Sequence, residues 1–422
     1  MSDETRVNET ALQPIFSVLW EGAEKIKQLT STLDFGSQLG LLSHRFQELE
    51  KLALVPWVKS LVLVQSGPQI APWSSIPHLK HLLLGDIIFS VPQDSPPCSS
   101  ITVLDLDWQD PKICLHFLTI CPNLIEYRVA TTTPRFQTRT SIDHVLISNH
   151  LMTFRHMKIF QVSRPFEPPF SRILPRLRMP VLEELGLGIS LEMIHETLLP
   201  PVLSFLHHLP DSWSRLELDH WLAEAPVPVI NQLFGAIRGG KVTTLRVPGI
   251  TSRSFPTLLR SLSMKVVETQ EVVLPGLRHL HVQKLLPPLG LLAGSSRPEN
   301  LDHSLLRDVL SLVLTRRRDI KGDVFVVDID MCTVKDSAPV QDEFRRVISE
   351  GLRIEIKVGG KLIDCLQEIY DQLGSYFHCC RLIFTPFYQY IHGRNARIQD
   401  NSKFSCHHHR KQIPLLILIP QA

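Results

Sequence analysis

The feature that most restricts this chain is a phrase it keeps rewriting. "IPHLKHLLL" at Ile76 to Leu84 returns as "MPVLEELGL" at Met179 to Leu187 and as "LPGLRHLHV" at Leu274 to Val282. Its kernel is apolar-x-x-apolar-x-apolar. The kernel fits Leu49/Leu52/Leu54, Val58/Leu61/Leu63, Leu79/Leu82/Leu84, Ile101/Leu104/Leu106, Leu124/Tyr127/Val129 and Met157/Phe160/Val162. It fits again at Leu182/Leu185/Leu187, Trp213/Leu216/Leu218, Val242/Leu245/Val247, Leu277/Leu280/Val282 and Val309/Leu312/Leu314, often with a leading proline such as Pro77, Pro122, Pro180 or Pro275. A local pattern returning at long, repeat-sized intervals marks a solenoid.

The kernel has a mechanical reading. Its last two apolar positions lie two apart and share one face of a short strand, while the first anchors the turn that leads in. Between kernels lie segments such as "DPKICLHFLTICPN" and "PTLLRSLSMKV", whose apolar residues recur at three and four, the spacing of an amphipathic helix. One strand and one helix cannot bury their own apolar faces, so neighbours must stack. The expectation is an α/β, irregular leucine-rich-repeat solenoid over residues 12–358, with a parallel concave sheet and helices on the convex side. Unit lengths vary, the Asn or Cys position of standard leucine-rich repeats is missing, and the crowded pair Leu49 and Val58 leaves room for only one true strand. Residues 1–11 read as a disordered N-terminus, 359–375 as a C-terminal helical segment and 376–422 as an irregular, disordered tail.

Composition narrows the class. With 44% hydrophobic and 20% charged residues and a net charge of +2 over 422 residues, nothing points to nucleic acid or an anionic membrane as partner. "MSDETRVNETALQ" lacks the basic-then-apolar order of a signal peptide, and runs such as "PLLILI" are too short to span a bilayer. The chain reads as soluble and intracellular, cytoplasmic or nuclear. Its 8 cysteines show no disulfide framework, so reduced thiols are expected.

These irregular Pro-x-Leu-x-x-Leu-x-Leu units with Leu-Pro-rich segments between them resemble the leucine-rich-repeat regions of basidiomycete fungal F-box proteins. "VQDEFRRVISEGLRIEI", Val340 to Ile356, resembles the closing helix and strand of that family. The resemblance implies a protein-interaction module, a substrate-recognition subunit of an F-box-type ubiquitin ligase or a diverged or truncated member of that group. An F-box docks on the adaptor of a cullin-based ligase. Here "LQPIFSVLWEGAEKIKQL", Leu12 to Leu29, reads better as a helix followed by a degenerate strand around Ile26 and Leu29, so the adaptor enters only if a longer form carries an F-box. "LLPPVLSFLHHLPDSW", Leu198 to Trp213, reads as an ordinary inter-strand helix.

Catalytic motifs are near misses. "GAIRGGKV" has the Gly-x4-Gly-Lys spacing of a phosphate loop, but Val242 stands where a hydroxyl must bind metal, and a helix precedes where a strand should. "VFVVDIDMCTV" resembles the haloacid-dehalogenase signature, in which one aspartate attacks phosphate and a second is acid and base. Asp328 and Asp330 would take those roles in an alternative, phosphatase-type enzyme, yet Cys332 occupies the Thr or Val position and a repeat strand explains the segment more simply. "CHHHRK" with Cys379 and Cys380 lacks the paired spacing of a zinc site. No catalytic set, cofactor or metal is therefore expected, and Arg316-Arg317-Arg318 and His207-His208 read as solvated faces.

An interaction surface can still be placed. If the last two kernel positions point into the core, the residues between and beside them face the concave side. That selects Asp105, Asp107, Arg128, Gln161, Glu184, Arg215, Glu217, Asp219, Arg246, His279 and His281 for a protein partner of unknown identity. The plainer alternative is a solvated strand face.

Overall fold

The computed structural model describes residues 17–31, 45–55, 76–85, 96–109, 111–131, 151–163, 170–188, 199–219, 227–237, 242–251, 254–263, 272–283, 285–286, 300–301, 303–320, 324–329, 333–334, 346, 353–358, 361–362 and 416–418. It divides into one unit of residues 1–363 and 416–422 and a second of residues 364–415, all of which lie outside those described.

The first unit is built on a 14-stranded sheet. In chain order its parallel strands are Gln28–Ser31, Lys51–Leu54, His81–Gly85, Val103–Gln109, Glu126–Thr131, Ile159–Val162, Glu184–Gly188, Arg215–Asp219, Thr244–Val247, His279–Val282, Val324–Ile329 and Arg353–Val358. Each pairs in parallel with the next. Short strands at both edges, Lys361–Leu362 and Leu416–Leu418, pair antiparallel. Helices alternate with the strands: α1 (Pro111–Ile120), α2 (Leu199–His207), α3 (Val227–Ala236), α4 (Phe255–Ser263) and α5 (His303–Ile320). Consecutive members of α2 to α5 lie against one another, and α1 lies against the strands flanking it. The chain is thus an α/β protein whose parallel sheet of short strands alternates with helices, as in a leucine-rich-repeat-like solenoid.

The kernels account for the register. Leu52, Leu82, Leu104, Tyr127, Phe160, Leu185, Leu216, Leu245, Leu280 and Val327 face one another across successive strands. All are 0% exposed. Aromatics thicken this row: Tyr127 stacks on Phe160 at 5.6 Å, and Phe160 meets Phe205 of α2 at 6.0 Å. The buried Tyr127 hydroxyl donates to the Cys114 carbonyl of α1 at 2.8 Å, so the helix and its strand share a polar tie inside the core.

A backbone spine runs across the turns. In unit after unit one carbonyl accepts two successive amides of the next: Lys80 O takes Thr102 N and Val103 N at 2.8 and 2.9 Å. Thr102 O, Ile125 O, Lys158 O, Glu183 O, Ser214 O and Thr243 O repeat the arrangement, which satisfies the polar groups of tight turns without side chains. Three positions before seven of the kernels stands a buried apolar residue: Phe46, Ile76, Cys98, Cys121, Phe154, Met179 and Leu274. The repeat is therefore longer than its kernel.

Two sequence expectations are corrected. Val309, Leu312 and Leu314 lie in α5, not in a strand, and the next strand is Val324–Ile329. The kernel's first step of three is also a helical step, and Val309, Leu310, Leu312 and Val313 form a buried helical stripe that leaves Leu314 40% exposed. Arg316, expected on a solvated face, is 1% exposed, and its guanidinium donates to the carbonyls of Leu262, Val273 and Leu274. His207 and His208 are exposed.

Other readings meet the structure directly. Residues 17–22 are helical and lead to strand Gln28–Ser31, as the helix-then-strand reading of Leu12 to Leu29 requires. Leu49 heads the true strand Lys51–Leu54, whereas Val58 lies outside the described residues. The segments read as N-terminus (1–11), C-terminal helix (359–375) and tail (376–422) lie outside them too, apart from strand Lys361–Leu362 in the second and strand Leu416–Leu418 in the third. Among the described residues no helix is long and apolar enough to cross a membrane.

Candidate interaction surface

Side chains alternate along a strand, so the register that buries the kernels sends the intervening residues to the opposite face. Two rows result. One runs Asp105, Arg128, Gln161, Gly186, Glu217, Arg246, His281, Asp328, with each residue opposite the next. The other runs His81, Val103, Glu126, Ile159, Glu184, Arg215, Thr244, His279, Val326. Asp107 extends its strand on the same side by alternation, and Asp219 is the last residue of strand Arg215–Asp219. The register thus collects the sequence-selected residues on one polar face.

That face is a bonded network rather than a row of independent charges. Gln161 Nε2 donates to Glu184 Oε1 at 3.0 Å, and Arg215 lies 3.8 Å from Glu184 Oε2. Glu184 is only 6% exposed, so these neighbours hold a buried carboxylate. Gly186 makes the arrangement possible, because a β-carbon there would stand 2.4 Å from Gln161 Cγ. Gly188 is tighter still against the backbone of Ser163. Further along, Arg246 pairs with Glu217 at 3.3 Å, and the rings of His279 and His281 stack at 6.0 Å.

At the N-terminal end of the face, Arg128 and Glu126 pair at 2.6 Å. Burial pushes the Asp105 carboxyl up to about 6; Arg128 opposes this and Glu126 adds to it. Burial lowers His81 to about 4, helped by Lys51 and Arg128 and opposed by Glu126. His81 is therefore neutral at physiological pH. Among the described residues, His81 Nε2, Arg128 Nε and Asp328 Oδ1 of this face are shut from solvent without a hydrogen-bond partner.

Sequence reasoning overlooked Glu126 and His81, although both sit immediately before an apolar strand position, as Arg215 and His279 do. It placed Asp328 on a repeat strand, and there it lies; Asp330 and Cys332 fall outside the described residues. So do Lys241 and the Cys379 to His409 region, while α3 precedes and strand Thr244–Val247 follows the phosphate-loop lookalike. Among the described residues no group of three His, Cys, Asp or Glu side chains converges tightly enough to hold a metal ion. No protein-family model and no curated protein matches the chain.

Proposed function

We propose that this chain is a non-catalytic protein-interaction module whose polar sheet face receives a protein partner. One observation carries the reading. The polar groups of two strand rows are ordered by bonds within the face, yet His81 Nε2, Arg128 Nε and Asp328 Oδ1 are desolvated without satisfaction. Such atoms cost free energy that the surrounding fold must offset, while the part-exposed Arg246–Glu217 pair and the stacked His279 and His281 rings hold a fixed pattern of charge and ring faces for a complementary partner to meet. The resemblance to F-box/leucine-rich-repeat proteins extends this to a substrate-recognition role in a ubiquitin ligase, with the cullin adaptor as second partner of a form carrying an F-box.

The test replaces Arg215, Glu217, Arg246 and His279 together by alanine and compares partners with those of the parent, after circular dichroism shows the fold retained. Loss of partners supports the reading; retention of every one moves binding to the helices or the tail. Pull-down with the cullin adaptor tests the ligase role separately.

Asp328 gives a phosphatase-type enzyme its foothold, because its Oδ1 is desolvated and unsatisfied. Its neighbours across the sheet are His281 and Lys357. Magnesium-dependent phosphatase activity abolished by Asp328→Asn would establish that reading in place of the first.

A further inference from the structure

The turns leading into strands Val103–Gln109 and Glu126–Thr131 carry a cysteine at the same place: Cys98 precedes Ile101 as Cys121 precedes Leu124. In other units this place holds Ile76, Phe154 or Met179, all buried. The two strands pair Val103 with Glu126 and Leu104 with Tyr127, and the same offset carried back into the turns sets Cys98 beside Cys121. Equivalent residues of paired strands lie one strand spacing apart, about 4.7–4.9 Å. A disulfide accepts Cα separations of about 4.4–6.8 Å.

Local bonds hold the two turns in this relation. Cys98 N donates to Ile120 O at 2.7 Å, Asn123 Nδ2 donates to Ser99 O at 2.8 Å, and Ile125 N donates to Thr102 O at 2.7 Å. Both thiols are free, Cys98 at 4% exposure and Cys121 at 0%, and they hydrogen-bond to each other.

We infer that Cys98 and Cys121 are a redox pair, which a peroxide converts to an intramolecular disulfide bolting two adjacent repeat units together and which a thiol reductant reopens. The Cys98 thiolate attacks one oxygen of hydrogen peroxide; the S–O bond forms, the O–O bond breaks, and the departing hydroxide takes up the thiol proton as water. Cys121 sulfur then attacks the Cys98 sulfenic acid. The S–S bond forms, the S–O bond breaks, and hydroxide leaves with the Cys121 proton as a second water. Two thiols and one peroxide thus give one disulfide and two waters. Two glutathione molecules reverse the step by thiol exchange, leaving as glutathione disulfide.

The order of attack follows from the hydrogen bond between the sulfurs. It lowers the pKa of Cys98, against the effect of burial, whereas the same bond and burial raise that of Cys121. Cys98 is also the more exposed of the two, which suits it to meet the oxidant first.

The experiment treats the reduced, folded full-length chain with hydrogen peroxide, blocks remaining thiols and digests with trypsin. Residues 81–112 contain Cys98, and residues 113–128 contain Cys114 and Cys121. Expected is a cross-linked pair of these peptides, lighter by two hydrogens than their sum and released by reductant. The link should persist in Cys114→Ser and vanish in both Cys121→Ser and Cys98→Ser. A chain that forms no such link, links through Cys114, or stops at Cys98 sulfinic acid overturns the inference. Because the parent and Cys114→Ser decide the matter, a folding failure of Cys121→Ser does not obscure it.

Discussion

Arg316 of α5 donates to the carbonyl of Leu274 at 2.6 Å, and Leu274 itself stands at φ 51, in left-handed backbone. That conformation costs a residue with a β-carbon roughly 1–2 kcal/mol. The turn keeps it because Leu262, Val273 and Leu274 aim their carbonyls at one guanidinium, joining the end of α4, the turn before strand His279–Val282 and α5.

Arg316→Met keeps much of the stem and removes the donors. The variant should lose about 3 kcal/mol or more of stability, since several desolvated carbonyls are left without their charged partner. Urea denaturation followed by circular dichroism measures it. Arg316→Lys should recover only part, because an ammonium lacks the planar fork that serves three carbonyls. A loss well under 1 kcal/mol would show that the turn holds its shape unaided.

Gly186→Ala should cost about 1–3 kcal/mol, the range for forcing added volume into a packed site. The new methyl drives Gln161 off its seat and removes the donor from the Glu184 carboxylate. In the double variant with Gln161→Ala the 2.4 Å clash with Cγ is removed and only the tight 3.0 Å approach to Cβ is left, so the two penalties should fall short of additive. Strict additivity would dissociate the glycine from the network.

Asp105 makes stability depend on pH. Its folded pKa is raised to about 6 from an ordinary 3.8, so its contribution is fully present below 3.8 and is lost as pH rises through 6. Asp105→Asn should therefore be more stable than the parent near neutral pH by on the order of 1 kcal/mol, a figure trimmed because the side chain is partly solvated. The difference should close in mildly acid solution. His81 has the opposite sign: lowered from 6.5 to about 4, it contributes stability above 6.5 that is lost as pH falls toward 4. Thermal midpoints of parent, Asp105→Asn and His81→Gln across that window separate the two; a parallel profile for Asp105→Asn contradicts the assignment.

Tyr127→Phe deletes the hydroxyl that reaches Cys114 O and leaves the ring stack intact. A loss of about 1 kcal/mol is expected, typical of one buried hydrogen bond. Hydrogen exchange should quicken in α1 and stay unchanged in α4, if the tie is local to its own unit.

The sheet was readable because its code is periodic. Leu104, Tyr127, Phe160 and Leu185 are each the second apolar position of a kernel, and alternation alone then assigns Arg128 and Gln161 to the opposite face. What escaped was information carried by single residues in three dimensions. Arg316 sits among charges in the sequence, and only the meeting of α4, α5 and a turn distant along the chain buries it. The Val309 kernel failed because a helix and a turn-plus-strand share its first interval. Cys98 and Cys121 looked unremarkable until the turn was recognised as part of the repeat; an apolar residue directly before Pro77, Pro122, Pro180 and Pro275 was the available signal.

The strand order has a consequence for how such a chain tolerates change. Apart from the antiparallel strand Leu416–Leu418 beside Gln28–Ser31, the strands of the sheet follow one another in chain order. Nothing in that topology demands closure, as a barrel would. Structure can begin wherever one rung first meets the next and grow outward in both directions. A lineage that duplicates or drops a whole rung changes the length of the ladder while leaving every remaining step intact.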